Sequence, residues 1–142
     1  MKELLEKLKE TLKDIEKEDG LVVLFALFLR EGALGMWDLL VAAPWLDASA
    51  LASYDHIAKR IQGRLTPDQV VKLDRIVLLD PKDSAVAFLQ DNYPVPNGSF
   101  IEILNCEPLT DRYGFTIQRA YVLRCIREPT GAGASTKNKS PE

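Results

Sequence analysis

The feature that most constrains this chain is a run of nine consecutive apolar residues at 21–29, followed by a largely apolar run at 36–43. Both runs are rich in β-branched, aromatic and leucine side chains, and each has the length of a buried strand. The connection between them carries Gly32 and Gly35. We therefore predict an antiparallel hairpin at the centre of a sheet.

Alternate side chains of a strand point to opposite faces of its sheet. The first run then places Val23, Phe25 and Leu27 on one face and Val22, Leu24 and Phe28 on the other. In the second run, Trp37, Leu39 and Val41 lie opposite Met36, Leu40 and Ala42. Both faces of the hairpin are apolar, so both must be covered. Either helices of the same chain cover them, or one face packs against a second copy of the protein.

Residues 1–18 have the pattern of a charged amphipathic helix. A narrow apolar stripe recurs at helical spacing, at Met1, Leu5, Leu8, Leu12 and Ile15. The stripe is too short for a coiled coil, so we predict a peripheral helix laid against the fold. Within one chain, this helix is the obvious candidate to cover the second face of the sheet.

Further along the chain, helices and strands alternate less regularly. We predict a helix from an Asp47 cap to about Gly63, a short helix started by Thr66 and Pro67, and a helix opened by Asp80. The core-facing positions of the first of these are Leu51, Tyr54, Ala58, Ile61 and Leu65. Strands are predicted at 75–79, 100–106 and 115–127, the last two joined by a loop at 111–114.

The resulting order is α-β-β-α-α-β-α-β-β, which predicts an α+β fold. Its sheet has about five strands, mainly antiparallel, with helices packed on it in two or three layers. Residues 1–128 are predicted to form a single domain. Residues 129–142 lack large apolar side chains and are predicted to be a disordered tail.

Composition excludes several functional classes. The net charge of −3 makes nucleic acid an unfavourable partner. One histidine and two distant cysteines predict neither a metal site nor a cofactor. Residues 21–46 are long enough to span a bilayer, but Arg30, Glu31 and Asp38 would each cost about 2.5–3.5 kcal/mol there. The charged start carries no signal-peptide pattern. We therefore expect a soluble, cytoplasmic protein without a membrane partner.

Asp38 is the candidate catalytic residue, because an unpaired carboxylate in an apolar strand is costly to bury. The hairpin around it resembles the nucleotidyltransferase core, in which a Gly-Ser turn and an Asp-x-Asp strand hold magnesium and nucleotide. Here Met36 and Leu40 stand two residues before and after Asp38, and the Gly-Ser turn is missing. A single carboxylate holds a divalent cation poorly. The competing interpretation is an ion pair between Asp38 and Arg30.

Two basic groups are candidate binding residues for phosphate or an acidic partner. The first follows one side of the helix after Asp47, at His56, Lys59, Arg60 and Arg64. The second lies on the last hairpin, at Arg112, Arg119, Arg124 and Arg127. Arg60 and Arg119 represent them among the candidate sites, and Trp45 joins them because an aromatic at a strand end can line a pocket or interface. The alternatives are a solvated face paired with the acidic N-terminal helix and, for Trp37 and Trp45, the core.

Cys106 and Cys125 are predicted to be small core residues rather than a disulfide. A hairpin that turns at 111–114 pairs position 106 near 119 and position 125 near 100, which keeps the two sulfurs apart.

Two functional hypotheses follow. The sequence has no glycine-rich phosphate loop, no Gly-x-Ser-x-Gly and no His-Glu-x-x-His. The favoured hypothesis is a non-catalytic protein-interaction or regulatory domain, whose partner is a protein and can be a second copy of the chain. The alternative is a small nucleotide- or phosphate-binding enzyme, or a degenerate nucleotidyltransferase-like domain, that uses Asp38 and nearby basic residues.

Overall fold

A computed structural model describes residues 1–32, 34–96 and 99–128, and within them a five-stranded sheet lies between two layers of helices. The elements are α1 (Lys2–Glu18), β1 (Leu24–Arg30), β2 (Trp37–Ala42), α2 (Leu51–Gln62), α3 (Pro67–Val70), β3 (Leu73–Leu78), α4 (Ser84–Asn92), β4 (Ile101–Ile103), α5 (Glu107–Tyr113) and β5 (Ile117–Cys125). No helix in these ranges combines the length and the apolarity that a membrane crossing needs.

The strand order β3-β2-β1-β5-β4 confirms the predicted α+β class and the central hairpin. β1 pairs antiparallel with β2 and β5, and β4 pairs antiparallel with β5. The pair β2–β3 is parallel, because α2 and α3 carry the chain back along the sheet before β3 begins. The predicted element order is confirmed, and the last connection holds the additional short helix α5 where the sequence predicted a loop.

Helices of the chain itself cover both faces of the sheet. On one face α1 and α2 pack against Phe25 and Leu27, and on the other face Val86 of α4 and Leu109 of α5 pack against Phe28. The stripe of α1 is buried as predicted from Leu5 to Ile15, with Leu4 added, whereas Met1 is 37% exposed. The sheet therefore does not need a second copy of the chain to cover either of its apolar faces.

Three local predictions are wrong. Val22 packs on the α1 side and Val23 on the other, because β1 begins only at Leu24 and the chain bends before it. Asp47 does not cap α2; its carboxylate accepts hydrogen bonds from Ser49 in a turn, and Ala50 precedes the helix. Asp80 likewise holds a turn through the Lys82 amide, and the helix α4 is capped by Asp83.

The buried side of α2 is rotated relative to the prediction. Ile57, Ile61 and Leu65 are buried, whereas Leu51 is 75% exposed and Tyr54 39% exposed. The predicted stripe and the observed one share Ile61 and Leu65, and they differ because Ile57 rather than Ala58 defines the buried direction.

The edge strand β3 contains a bulge next to its start. Trp37 pairs with Leu73 but Asp38 pairs with Arg75, so Asp74 is an extra residue on the β3 side. An extra residue of this kind interrupts the ladder and bends the strand. The tail prediction for residues 129–142 lies outside the described residues.

Candidate functional site

Asp38 sits in an ion-pair cluster at the turn end of the β1–β2 hairpin. Its carboxylate is 1% exposed and lies on the face of the sheet that α4 and α5 cover. Arg30 Nε donates to Oδ2 at 2.6 Å and Arg30 Nη2 to Oδ1 at 3.3 Å. Arg75 Nε lies 3.2 Å from Oδ2. The interpretation of Asp38 as the ion-pair partner of Arg30 is confirmed, and both of its oxygens are engaged.

The cluster around Asp38 is balanced in charge. Arg30 also donates to Asp74, so two arginines face two carboxylates. The guanidinium carbons of Arg30 and Arg75 lie 5.9 and 5.8 Å from the ring centre of Phe115. Hydrogen bonding to Asp38 raises the pKa of Arg30, which keeps this arginine charged. Arg30 thus joins the buried carboxylate of Asp38 to the partly exposed carboxylate of Asp74.

The basic side of α2 is paired with the acidic α1. His56 Nε2 lies 2.8 Å from Asp19 Oδ2, and Arg60 Nε donates to the same oxygen at 3.1 Å. Arg64 Nε donates to Asp14 at 2.6 Å. The alternative interpretation, a face paired with the N-terminal helix, is therefore confirmed for His56, Arg60 and Arg64, whereas Lys59 lies on the exposed opposite side of α2. These contacts fix α2 against α1.

Two carboxyl groups of this helix pair have lowered pKa values. Burial alone would raise the pKa of Asp19, but the hydrogen bonds from Arg60 and His56 outweigh it and lower the pKa. The hydrogen bond from Arg64 lowers the pKa of Asp14. A carboxyl group whose pKa is lower in the folded state stabilises that state above its ordinary value of 3.8, and this contribution is lost as the pH falls through the lowered value.

We expect the urea midpoint of unfolding to fall as the pH is lowered from the ordinary carboxyl value of 3.8 through the lowered pKa values of Asp14 and Asp19. The variant Arg60→Gln/Arg64→Gln should have a lower midpoint at pH 6 and a flatter pH dependence below pH 3.8, because Asp14 and Asp19 have lost their arginine partners, although His56 still contacts Asp19. Urea titrations of both proteins across this range measure the difference. Parallel pH profiles would contradict the assignment.

Trp45 and Arg60, two of the predicted binding residues, lie around the same Asp19–His56 pair. Trp45 Nε1 donates to the Leu21 carbonyl at 2.9 Å, and its ring meets that of His56 edge-on at 6.2 Å. The indole lies so close to Gly20 that a Cβ there would be 2.9 Å from Trp45 Cδ1, at a φ of +132°. An open cleft of about 450 Å³ borders Trp45, His56 and Asp19.

Arg119, the third predicted binding residue, lies apart from the others. It donates to Glu102 at 3.1 Å and to the Tyr121 hydroxyl at 2.6 Å, and its guanidinium lies 6.0 Å from the Trp37 ring. Trp37 and Tyr121 belong to the core on the α1 side of the sheet, opposite Asp38. The structure therefore does not bring Asp38, Arg60 and Arg119 into one site.

The other arginines of the second basic group also have partners. Arg124 pairs with Glu16 and with the Pro96 carbonyl, Arg127 pairs with Asp91, and the Arg112 guanidinium lies 5.0 Å from the Phe88 ring. The arginines of this second basic group therefore do not form one patch, because each of them contacts a different partner.

Both cysteines are buried and free. The predicted strand register is wrong: Ile103 pairs with Ala120, and Cys125 faces Val95 rather than a residue near position 100. Burial raises the pKa of Cys106 and raises that of Cys125 to about 11. A thiol with a raised pKa is a poor nucleophile at neutral pH. Among the described residues, no cluster of three or more His, Cys, Asp or Glu side chains is arranged to hold a metal ion.

A cleft between α2 and β3 has no signature in the sequence pattern. It has a volume of about 130 Å³. Its apolar lining residues are Tyr54, Ala58, Ile61, Val70, Leu73 and Ile76, and its polar ones are Gln62, Asp74 and Arg75. Beside it, the side of α2 that points away from α1 forms what we call the α2 surface, which consists of Leu51, Tyr54, Asp55, Ala58, Lys59 and Gln62. Predicting this surface required knowing that α2 is turned toward α1 through Ile57, which the sequence pattern left ambiguous.

Comparisons of this chain with protein-family models, with curated proteins and with solved structures find no match. Function must therefore be argued from the geometry of the chain itself. In the Asp38 cluster and the Asp19–His56 cluster, the charged side chains form ion pairs and hydrogen bonds with one another. The α2 surface and the adjoining cleft combine exposed apolar side chains with a concave wall.

Proposed function

We propose that this chain is a non-catalytic protein-interaction module that binds its partner at the α2 surface and the α2–β3 cleft. The observation that carries the proposal is the exposure of Leu51 and Tyr54 beside a cleft of mixed polar and apolar lining, on a helix whose other side is fixed to α1. A few side chains near the centre of a contact, most often Trp, Tyr and Arg, supply most of the binding energy in protein interfaces, and Tyr54 is of this kind.

The rigidity of α2 supports this proposal. Its buried side is held by Ile57 and Ile61, and its basic side by the ion pairs to Asp14 and Asp19. A surface that is already ordered before binding loses little conformational entropy on association. Leu51 and Tyr54 are therefore presented to a partner without rearrangement of the backbone.

The pairing of Asp38 with arginines and the raised pKa values of the cysteines support a non-catalytic role. Asp38 directs both oxygens to arginines, and the pKa of each cysteine is raised. The alternative hypothesis of a nucleotide- or phosphate-binding enzyme stays a prediction. It draws less support, because the charges of Arg30 and Arg75 are offset by Asp38 and Asp74.

A photo-crosslinking amino acid in place of Tyr54 is expected to capture a protein partner in a cell extract or with the purified chain. The matched control carries the same group in place of Asp111, which is exposed on α5 across the sheet. Leu51→Glu in the Tyr54-substituted chain should reduce capture at least about tenfold, because a charged side chain would be buried in the contact. Equal labelling from positions 54 and 111 would contradict the proposal.

A further inference from the structure

The charges of α2 divide into two sets that behave differently. His56, Arg60 and Arg64 turn toward α1 and are paired with its carboxylates. Asp55 and Lys59 lie on the exposed opposite side, and neither makes an ion pair with any residue in the described ranges 1–32, 34–96 and 99–128. The α2 surface therefore carries one negative and one positive charge that the folded chain leaves to solvent.

Helical geometry places these two charges on the same flank of the apolar stripe. At 3.6 residues per turn, Leu51, Ala58 and Gln62 follow one line along α2. Asp55 and Lys59 both fall to the side of this line that is farther from the cleft, and Tyr54 falls to the side nearer the cleft. A partner helix lying along the stripe would contact Leu51 and Ala58 and would meet Asp55 and Lys59 along one edge.

We infer that the partner at the α2 surface is a second copy of this chain, docked α2 against α2 in an antiparallel arrangement about a two-fold axis. This inference rests on the proposed function. In such an arrangement each flank of one helix faces the same flank of the other, so a crossing near residue 57 sets Asp55 opposite Lys59 of the second copy. The two-fold axis repeats this contact, so the dimer has two equivalent ion pairs, each between Asp55 of one copy and Lys59 of the other.

The remaining residues of the surface fit the same arrangement. Ala58 lies near the crossing point, and its small side chain allows two helices to approach closely. Leu51 and Tyr54, exposed in the single chain, would be covered by the second copy. A parallel arrangement about a two-fold axis would place Asp55 and Lys59 against the opposite flank, where no charge complements them.

The edges of the sheet are less suited to self-association than α2. The bulge at Asp74 interrupts the ladder at the start of β3, and β4 contains three residues. Bulges, short strands and charged residues at sheet edges are devices that prevent pairing between copies. A contact through helices is therefore favoured over a continuous sheet.

Charge reversal at the two positions tests this inference. Asp55→Lys alone and Lys59→Asp alone each create two like-charge contacts across the axis, so each variant should dimerise at least about tenfold more weakly than the parent chain. An equimolar mixture of the two variants restores opposite charges in the mixed pair and should recover the dimer. Sedimentation velocity measures the mass, and native mass spectrometry separates mixed from like pairs.

Asp111→Lys, on the opposite face of the sheet, is the matched control and should leave the dimer unchanged. Far-UV circular dichroism establishes that each variant is folded. A parent chain that stays monomeric up to millimolar concentration, or a dimer indifferent to charge reversal, would overturn the second-copy inference. In that case the proposed function stands if the crosslinker at position 54 captures another protein and Leu51→Glu reduces that capture, and falls if it captures none or if the capture is unaffected.

Discussion

A variant that lacks residues 1–19 is expected to lose its cooperative unfolding transition and to aggregate. α1 buries five large apolar side chains, Leu4, Leu5, Leu8, Leu12 and Ile15. At about 2 kcal/mol for each fully buried side chain, their burial contributes on the order of 10 kcal/mol. The deletion also uncovers the apolar side chains of the sheet against which α1 packs, and the net stability of a typical domain is only roughly 5–15 kcal/mol, so we expect the rest not to stay folded.

Point variants test whether the buried side chains of α1, rather than the helix as a whole, supply the stability. Leu8→Ala should lower the free energy of unfolding by about 3 kcal/mol because Leu8 is fully buried, whereas Lys13→Ala on the exposed side of the helix should change it by less than about 0.5 kcal/mol. Urea denaturation and light scattering measure both effects. A shortened chain that unfolds cooperatively as a monomer would instead support a role for α1 outside the core.

Arg30→Met is expected to lower the free energy of unfolding by about 3 kcal/mol. The change leaves the Asp38 carboxylate buried with Arg75, which is itself half-exposed, as its remaining cationic partner in the described structure. Breaking a buried ion pair from one side is strongly destabilising, because the charge left behind has lost both water and its partner. Urea denaturation of the purified variant measures the loss.

Two further variants make this prediction specific. Arg30→Met/Asp38→Leu replaces the pair with apolar side chains and should recover most of the lost stability, since no uncompensated carboxylate remains. Arg119→Met removes an exposed pair with Glu102 and should cost less than about 1 kcal/mol. If the double variant were as unstable as Arg30→Met, burial of the Asp38 charge would not be the cause.

The hairpin and the stripe of α1 were predictable because their signals are local. The unbroken apolar run at residues 21–29 and the helical spacing within residues 1–18 indicate a buried strand and an apolar helix face without knowledge of the rest of the chain. The parallel pairing of β3 with β2 was not predictable in this way, since it depends on how α2 and α3 cross the sheet. The helix α5 had a usable signal in Pro108 at its first turn and Gly114 at its end, where φ is +79°.

In the candidate site too, contacts within one local segment were predictable, and contacts between distant segments were not. The contact between Arg30 and Asp38 followed from the hairpin alone, because the two residues lie on neighbouring strands close to the turn. Arg75 and Asp74 could not be added, because they come from the parallel edge strand. The pairing of His56 with Asp19 could not be predicted, because it depends on how α1 packs against α2, and the spacing of residues within one helix does not give that orientation.

The position of β1 has a consequence for how the chain folds. β1 is the first strand made and lies in the middle of the sheet, yet its neighbour β5 is the last strand of the described chain. Until β5 arrives, one whole edge of β1 presents unpaired amides and carbonyls among buried leucines and phenylalanines. Contacts between residues so distant in sequence form slowly, because a long loop must close first. The closing of β5 against β1 is therefore the expected slow step of folding, and the time before it is when nascent chains are most exposed to misassembly.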